Sequence, residues 1–99
     1  MSFEEIVEAA LAELPPGLAR GLRNVALVIE EERAGDPGLY GLWEADEYLP
    51  DKITIFQRPL ERSFPDEDEL REEIRITVLH ELAHYFGIDE DRLEELGYG

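Results

Sequence analysis

Apolar residues recur at helical spacing towards both ends of the chain. Over residues 3–14 they lie three and four positions apart, and Pro15-Pro16 interrupts the pattern, which predicts a helix with Ser2 as its N-cap. A further turn of helix is predicted over residues 18–22. A longer helical pattern runs from position 66 to position 86, so we expect the main helix in the second half of the chain.

Between these helical segments, three short runs have the composition of β-strands. Residues 25–29 are a β-branched run, residues 39–44 are weakened by Gly41, and residues 52–57 alternate between apolar and polar side chains. Loops are predicted over residues 33–38 and 45–51. Gly41 is compatible with a β-bulge or with close approach of another part of the backbone, and we favour the bulge.

The long helix has start and stop signals in the sequence. Asp66 is a good N-cap, and Glu69 occupies the N3 position of a capping box. Gly87 is placed to end the helix in a left-handed cap. Arg58-Pro59 closes the third strand, an irregular connection leads to Asp66, and a last short helix is expected over residues 91–96. This order of elements predicts an α+β fold, with a small, roughly three-stranded sheet packed on helices.

Length and composition fit one domain spanning residues 1–99. The chain is 43% hydrophobic, which is enough for a compact core despite its high charge. A net charge of −16 repels phosphate backbones and anionic lipids, so we expect neither nucleic acid nor a membrane as a partner. The absence of cysteine excludes disulfides and thiolate metal sites. The first residues show no signal-peptide pattern, so we expect a cytoplasmic protein.

Residues 80–84 read His-Glu-Leu-Ala-His, and His80 and His84 are the only histidines in the chain. Positions i and i+4 of a helix share one face, with Cβ atoms about 5–6 Å apart, so the two imidazoles can bind one Zn²⁺. Glu81 lies on the same side and can act as a general base on a metal-bound water. The alternative is a pair of unrelated surface histidines, which the strongly helical setting disfavours.

A catalytic zinc site needs a third ligand, and acidic candidates follow the second histidine. Gly87 supplies a sharp turn, and the pattern His-Glu-x-x-His-x-x-Gly-x-x-acid ends on Glu90. Asp89 and Asp91 flank this position, and either takes its place if the turn differs by one residue. All three acids also suit the start of the last helix, Asp89 most of all. We expect Glu90 to be the third ligand, because its spacing fits a three-ligand catalytic site.

The chain resembles the minimal zincin-like metallopeptidases, a family of small bacterial zincins. The resemblance rests on residues 24–31, 49–56, 58–62 and 78–96 and covers nearly the whole chain. It implies a zincin-like core with the metal motif on the long helix, a Zn²⁺ cofactor and peptide or protein substrates. It also implies that an edge strand beside that helix holds an extended substrate, for which residues 39–44 or 52–57 are candidates. In this family the third ligand is usually Asp, where this chain has Glu90.

These observations favour a zinc-dependent metallopeptidase in which His80, His84 and Glu90 hold the metal. Glu81 would take the proton of a zinc-activated water. Metzincin zinc peptidases carry a methionine turn after the motif, and this chain has no counterpart of it, because Met1 is the only methionine. The given sequence also stops nine residues after Glu90. The alternative is therefore a metal-stabilised module that binds a peptide or protein at a sheet edge. Such a module is either non-catalytic or needs a partner protein to complete its cleft.

Overall fold

The fold is α+β, as the sequence predicts, in a computed structural model that describes residues 1–95 apart from the side chains of Tyr85, Glu90 and Leu93. The elements in chain order are α1 (Phe3–Ala12), α2 (Pro16–Ala19), a 3-10 helix (Arg20–Asn24), β1 (Val25–Glu30), β2 (Gly41–Glu44), β3 (Asp51–Phe56), α3 (Gln57–Ser63), α4 (Glu67–Tyr85) and α5 (Glu90–Glu95). The long helix predicted for the second half of the chain is α4.

The three strands form one mixed sheet in the order β1-β3-β2. β1 runs parallel to β3, and β2 runs antiparallel to it, with Gly41 opposite Ile55 and Glu44 opposite Lys52. The register is continuous through Gly41, so the bulge expected there is wrong. Since β3 is the central strand, residues 52–57 cannot supply an open edge, whereas β2 is paired on one side only among the described strands.

The core lies between one face of the sheet and helices α1 and α4. Alternate residues of β3, Ile53 and Ile55, are fully buried against the helices, together with Ile74 and Val78 of α4. α1 packs along α4 and buries its apolar side, which includes Phe3, Ile6, Val7 and Ala10. This packing holds α4 in a fixed position under the sheet. Side chains at the edge of its buried face therefore have fixed positions relative to β2.

The irregular connection predicted between the third strand and Asp66 is wrong, because the structure forms helix α3 there. Pro59 is the third residue of α3, a position at which the missing N–H costs nothing because the first N–H groups of a helix have no partner within it. Pro59 and Leu60 are both buried. Burial of these two residues stabilises α3. Because they are adjacent and no apolar residue repeats at helical spacing around them, the hydrophobic pattern of the sequence did not predict this helix.

Both ends of α4 follow the sequence signals. The Asp66 carboxylate accepts a hydrogen bond from the Glu69 N–H at 3.0 Å, as expected of an N-cap. Gly87 follows the helix with a φ of 70°. Within the described chain, no helix combines the length and the apolar character needed to cross a membrane.

Candidate metal centre

The His-Glu-x-x-His motif lies in the last turns of α4, on the rim of its buried face. Leu79, Leu82 and Ala83 are fully buried, whereas His80 is half-buried and His84 is exposed. The buried neighbours fix the rotation of the helix, and the two imidazoles therefore share a solvent-accessible face one turn apart. His84 opens onto a shallow depression of about 430 Å³, lined also by Gly87, Ile88 and Asp89.

The chain leaves α4 through a Schellman motif directly after the second histidine. The Ile88 N–H donates to the Ala83 carbonyl at 2.8 Å, and the Gly87 N–H donates to the His84 carbonyl at 3.1 Å. These bonds need the left-handed φ of Gly87. The turn ends the helix, and Asp89, two residues after Gly87, lines the same depression as His84.

A second contact fixes the same end of α4 from the side. A Cβ atom added to Gly21, in the 3-10 helix, would lie 2.7 Å from Cζ and 2.9 Å from Cε2 of Phe86. The Phe86 ring, which keeps 45% of its surface exposed, therefore packs against a backbone position with no side chain. This contact links the 3-10 helix to the residue immediately before the Gly87 turn.

The sheet approaches the motif helix closely at Gly41, the first residue of β2. A Cβ atom placed there would lie 2.6 Å from Thr77 Cγ2 and 3.9 Å from Glu81 Cγ. Thr77 and Glu81 are one turn apart on α4, so this face of the helix passes directly beneath the strand. Glu81 is half-buried, beside the edge of β2. Close approach of the Thr77 side chain, and not a bulge, explains this glycine.

The hydrogen-bond pattern of β2 shows which of its groups face outwards. The Phe56 N–H donates to the Tyr40 carbonyl at 2.9 Å, just before β2 begins. Because antiparallel partners alternate between hydrogen-bonded and non-hydrogen-bonded pairs, the next residue, Gly41, directs its N–H and C=O away from β3. The strand edge therefore presents backbone donors and acceptors next to Glu81.

The third ligand was expected among the three acids that follow the turn, Asp89, Glu90 and Asp91. The structure shows a role for Asp89. The Asp89 carboxylate accepts the Arg92 N–H at 2.9 Å, which is the N-cap role expected for it. The last helix begins at Glu90 instead of Asp91, so both acids lie in its first turn, with Asp91 exposed. The Glu90 side chain lies outside the described part of the structure, so its role as a ligand stays a prediction.

Two of the expected zinc donors, His80 and His84, are described by the structure. Imidazole is a common zinc ligand, the two side chains lie one turn apart on α4, and His84 lines an open depression. Among the described side chains, which do not include that of Glu90, no three histidine or acidic groups form a cluster able to hold a metal. A complete site therefore requires a donor beyond the two histidines.

The surface of α4 leading towards the motif is acidic. A groove of about 530 Å³ is lined by Phe64 together with Asp68, Glu69, Glu72 and Glu73. The guanidinium of Arg75 donates two hydrogen bonds to the Glu72 carboxylate, at 2.6 and 3.2 Å, and these lower the pKa of that carboxyl. The pair stabilises the fold above the unfolded pKa of Glu72, and this contribution is lost as the pH falls through the lowered folded pKa.

A metal motif on a buried helix that passes under the edge strand of a small mixed sheet is the arrangement of a zincin-like domain. A family model described as zincin-like metallopeptidase matches residues 22–99. The chain belongs to the zincin-like metallopeptidase family. None of the curated proteins compared with the chain matches it.

Two residues that shape the site were not identified from sequence, and the structural role predicted for a third was wrong. Thr77 and Gly21 have no individual signal, since their importance arises from contacts with residues far away in the chain. Gly41 did carry a signal, because a glycine inside a strand indicates either a bulge or close approach. Only the position of α4 under the sheet distinguishes these two readings.

Proposed function

We propose that the protein is a zinc-dependent metallopeptidase that hydrolyses peptide bonds with an activated water. The observation that carries the proposal is the position of Glu81, which follows the first motif histidine and has its Cγ 3.9 Å from where a Gly41 Cβ would be, at the edge of β2. Membership of the zincin-like metallopeptidase family supports the same chemistry.

The metal would be held by His80, His84 and Glu90. Two histidines and one carboxylate are a common donor set of catalytic zinc sites, which keep a fourth position for water or substrate. Bound zinc lowers the pKa of its water towards about 7 and polarises the carbonyl to be attacked. The Schellman turn at Gly87 supports the assignment of Glu90, because it closes α4 three residues after His84, and Asp89, the residue before Glu90, lines the depression beside His84.

Glu81 is the proton carrier in this proposal. Its carboxylate accepts a proton from the attacking water and later delivers it to the leaving amine, so one group serves both halves of the reaction. Glu81 is half-buried rather than fully exposed. The buried residues on either side of it in the helix, Leu79 and Leu82, keep its backbone in place while the proton moves.

The substrate would lie along β2 in extended form. The outward N–H and C=O of Gly41 can pair with the backbone of an added strand, which places a peptide bond near Glu81 without requiring a particular side chain. This supports a peptide or an extended protein segment as the substrate class. The acidic groove along α4 and the net charge of −16 favour substrates with basic residues.

The first prediction concerns metal binding and proton transfer. We expect the wild type to bind one Zn²⁺ per chain and to cleave an uncharged peptide, and we expect His84→Ala to lose both properties because a metal ligand is removed. Glu81→Gln should keep the metal and lose at least about 100-fold in kcat, since general acid–base catalysis contributes about 10²–10⁴-fold. Metal analysis and peptide hydrolysis, with and without a chelator, measure these effects.

Glu8→Gln is the control, because Glu8 is exposed on α1 and lines neither the acidic groove nor the depression beside His84. It should retain the metal and the activity. Glu90→Ala tests the third ligand and should weaken zinc binding. Hydrolysis that persists in Glu81→Gln would contradict the mechanism, and a wild type that binds no zinc would contradict the whole proposal.

The second candidate is a metal-stabilised binding module, without catalysis or completed by a partner protein. The observation that favours it is the edge position of β2 in the described sheet, which can pair with an extended peptide whether or not the motif is catalytic. In that case, metal-loaded wild type would bind extended peptides at β2 and cleave none of them. Glu81→Gln would then bind the same peptides with the affinity of the wild type, because no proton transfer is involved.

A further inference from the structure

The contact between Gly41 and Thr77 is the tightest that a side chain at any described glycine would make. A Cβ atom at position 41 would lie 2.6 Å from Thr77 Cγ2, while ordinary carbon–carbon contacts are about 3.5–4.0 Å. Its other neighbours are at ordinary distances, with the Thr54 carbonyl oxygen at 3.5 Å and Glu81 Cγ at 3.9 Å. One methyl group of α4 therefore occupies the space that a side chain at position 41 would need.

This spacing has a consequence one helical turn further on. Thr77 and Glu81 lie on the same stripe of α4, and Gly41 is the β2 residue above both of them. Gly41 is buried, so its missing side chain faces the helix, while its N–H and C=O face outwards along the strand edge. The Gly41–Thr77 distance thus sets the distance from the outward backbone of β2 to the Glu81 carboxylate.

We propose that Gly41 is a positioning residue, which with the Thr77 methyl sets the height of the substrate-bearing strand above Glu81. The proposal rests on the peptidase function proposed above. A residue with any side chain at position 41 moves β2 away from α4 by about 1 Å, the difference between 2.6 Å and an ordinary contact. A peptide paired with β2 moves with the strand, whereas His80, Glu81 and His84 stay on the helix.

The test is Gly41→Ala, Thr77→Ser and the double variant, compared with the wild type. Thr77→Ser removes Cγ2, the one atom at short distance, and keeps the hydroxyl. In Gly41→Ala we expect kcat to fall by about 100-fold, because a displacement near 1 Å costs about that factor in rate. KM should change far less, since the peptide still pairs with the same strand edge. Zinc content should match that of the wild type.

The double variant is the decisive comparison. With Cγ2 absent, the alanine Cβ meets only the ordinary contacts at 3.5 and 3.9 Å, so the strand returns to its place. Its kcat should lie within about threefold of that of Thr77→Ser alone, the agreement expected when two changes no longer conflict. Gly38→Ala is the matched control, because a Cβ at Gly38 has nothing within 4 Å. It should leave kcat at the wild-type value.

A structural readout keeps this test separate from the proposed activity. In metal-free protein, NMR should show a nuclear Overhauser effect between the Gly41 α-protons and the Thr77 methyl. The amide shifts of residues 41, 77 and 81 should change in Gly41→Ala and return towards those of Thr77→Ser in the double variant. If the wild type cleaves no peptide, the peptidase proposal fails. If the amide shifts do not change in Gly41→Ala, the substitution does not alter the spacing between β2 and α4, and the positioning proposal fails.

With an active wild type, two results overturn the positioning role. One is a wild-type kcat in Gly41→Ala, and the other is a folded, zinc-loaded double variant that is no faster than Gly41→Ala. If Gly41→Ala does not fold, circular dichroism will show it, and the double variant must then recover both fold and activity. A double variant that folds but stays inactive contradicts the proposal.

Discussion

Gly87 shows how one residue can serve both the helix and the site. Its φ of 70° lies in the left-handed region, and a Cβ atom at this position has nothing within 4 Å. Substitution therefore adds conformational strain without a steric clash. The strained residue would lie in the turn that connects His84 to Glu90. Substitution should therefore lower both the free energy of unfolding and the affinity for the metal.

Gly87→Ala should lower the stability by about 1 kcal/mol, which corresponds to a fall in Tm of roughly 4–8 °C for a domain of this size. It should also weaken zinc binding. Gly35→Ala is the matched control, since Gly35 has a φ of 85°, has no atom within 4 Å of a Cβ and lies in the loop between β1 and β2. Thermal unfolding should show a similar loss in both variants, and zinc titration a loss only in Gly87→Ala. Equal zinc affinities would show that the turn does not position a ligand.

Residues whose roles are local could be predicted from sequence. Asp66 and Asp89 cap the helices that follow them, and Gly87 ends the helix that precedes it, because each interacts with residues no more than a few positions away. Gly21 and Gly41 depend on side chains more than 30 positions away in sequence. No local pattern contains that information, so their roles appear only in the folded structure.

At the level of elements, periodicity identified the strands and the long helix but not their limits. The predicted strand over residues 39–44 is shorter in the structure, where β2 is Gly41–Glu44, and the last helix begins at Glu90. Helix α3 was missed, because its two buried residues are adjacent and do not repeat. The partners of each strand could not be derived either, since both parallel and antiparallel pairing occur around β3.

The contact between the 3-10 helix and the end of α4 leads to a prediction at this scale. Gly21→Ala should cost about 1 kcal/mol of stability, at the low end for overpacking, because its Cβ overlaps the Phe86 ring at 2.7 and 2.9 Å but the half-exposed ring can move aside. The cost should largely disappear in a Phe86→Ala background, where the overlapping atoms are gone. Chemical denaturation of the four proteins of this double-mutant cycle measures the coupling.

Gly17→Ala is the control for this cycle, because a Cβ at Gly17 in α2 meets only one atom, at 4.0 Å. It should be neutral or slightly stabilising, as expected for alanine in place of glycine in a helix. If Gly21→Ala costs as much without the Phe86 ring as with it, the 3-10 helix and α4 are not coupled through this contact.

For the whole molecule, the dominant electrostatic property is the net charge of −16. Fields of this kind raise the encounter rate with oppositely charged ligands, and salt weakens the effect as the Debye length falls from about 30 Å at 0.01 M to about 8 Å at 0.15 M. On the proposed function, a lysine-containing peptide should therefore be cleaved with a higher kcat/KM than a glutamate-containing peptide of equal length, by about tenfold at low salt.

The difference between the two peptides should shrink as salt is added, while kcat/KM for a glutamine-containing peptide should change little. Steady-state kinetics over a range of salt concentrations test this. If the preference for lysine persists at high salt, it comes from a specific contact and not from the field of the whole molecule.

The order of the strands has a consequence for when the site can form during synthesis. Among the strands that the structure describes, β3 is the last in sequence and the one with which both β1 and β2 pair. Neither earlier strand has a partner until the chain has been made as far as Phe56, and only then can the nascent chain close its sheet. The strand edge can therefore form only after β3 has been made, and the motif helix, which follows β3 in sequence, only after that, so a chain that stops before β3 has neither half of the site.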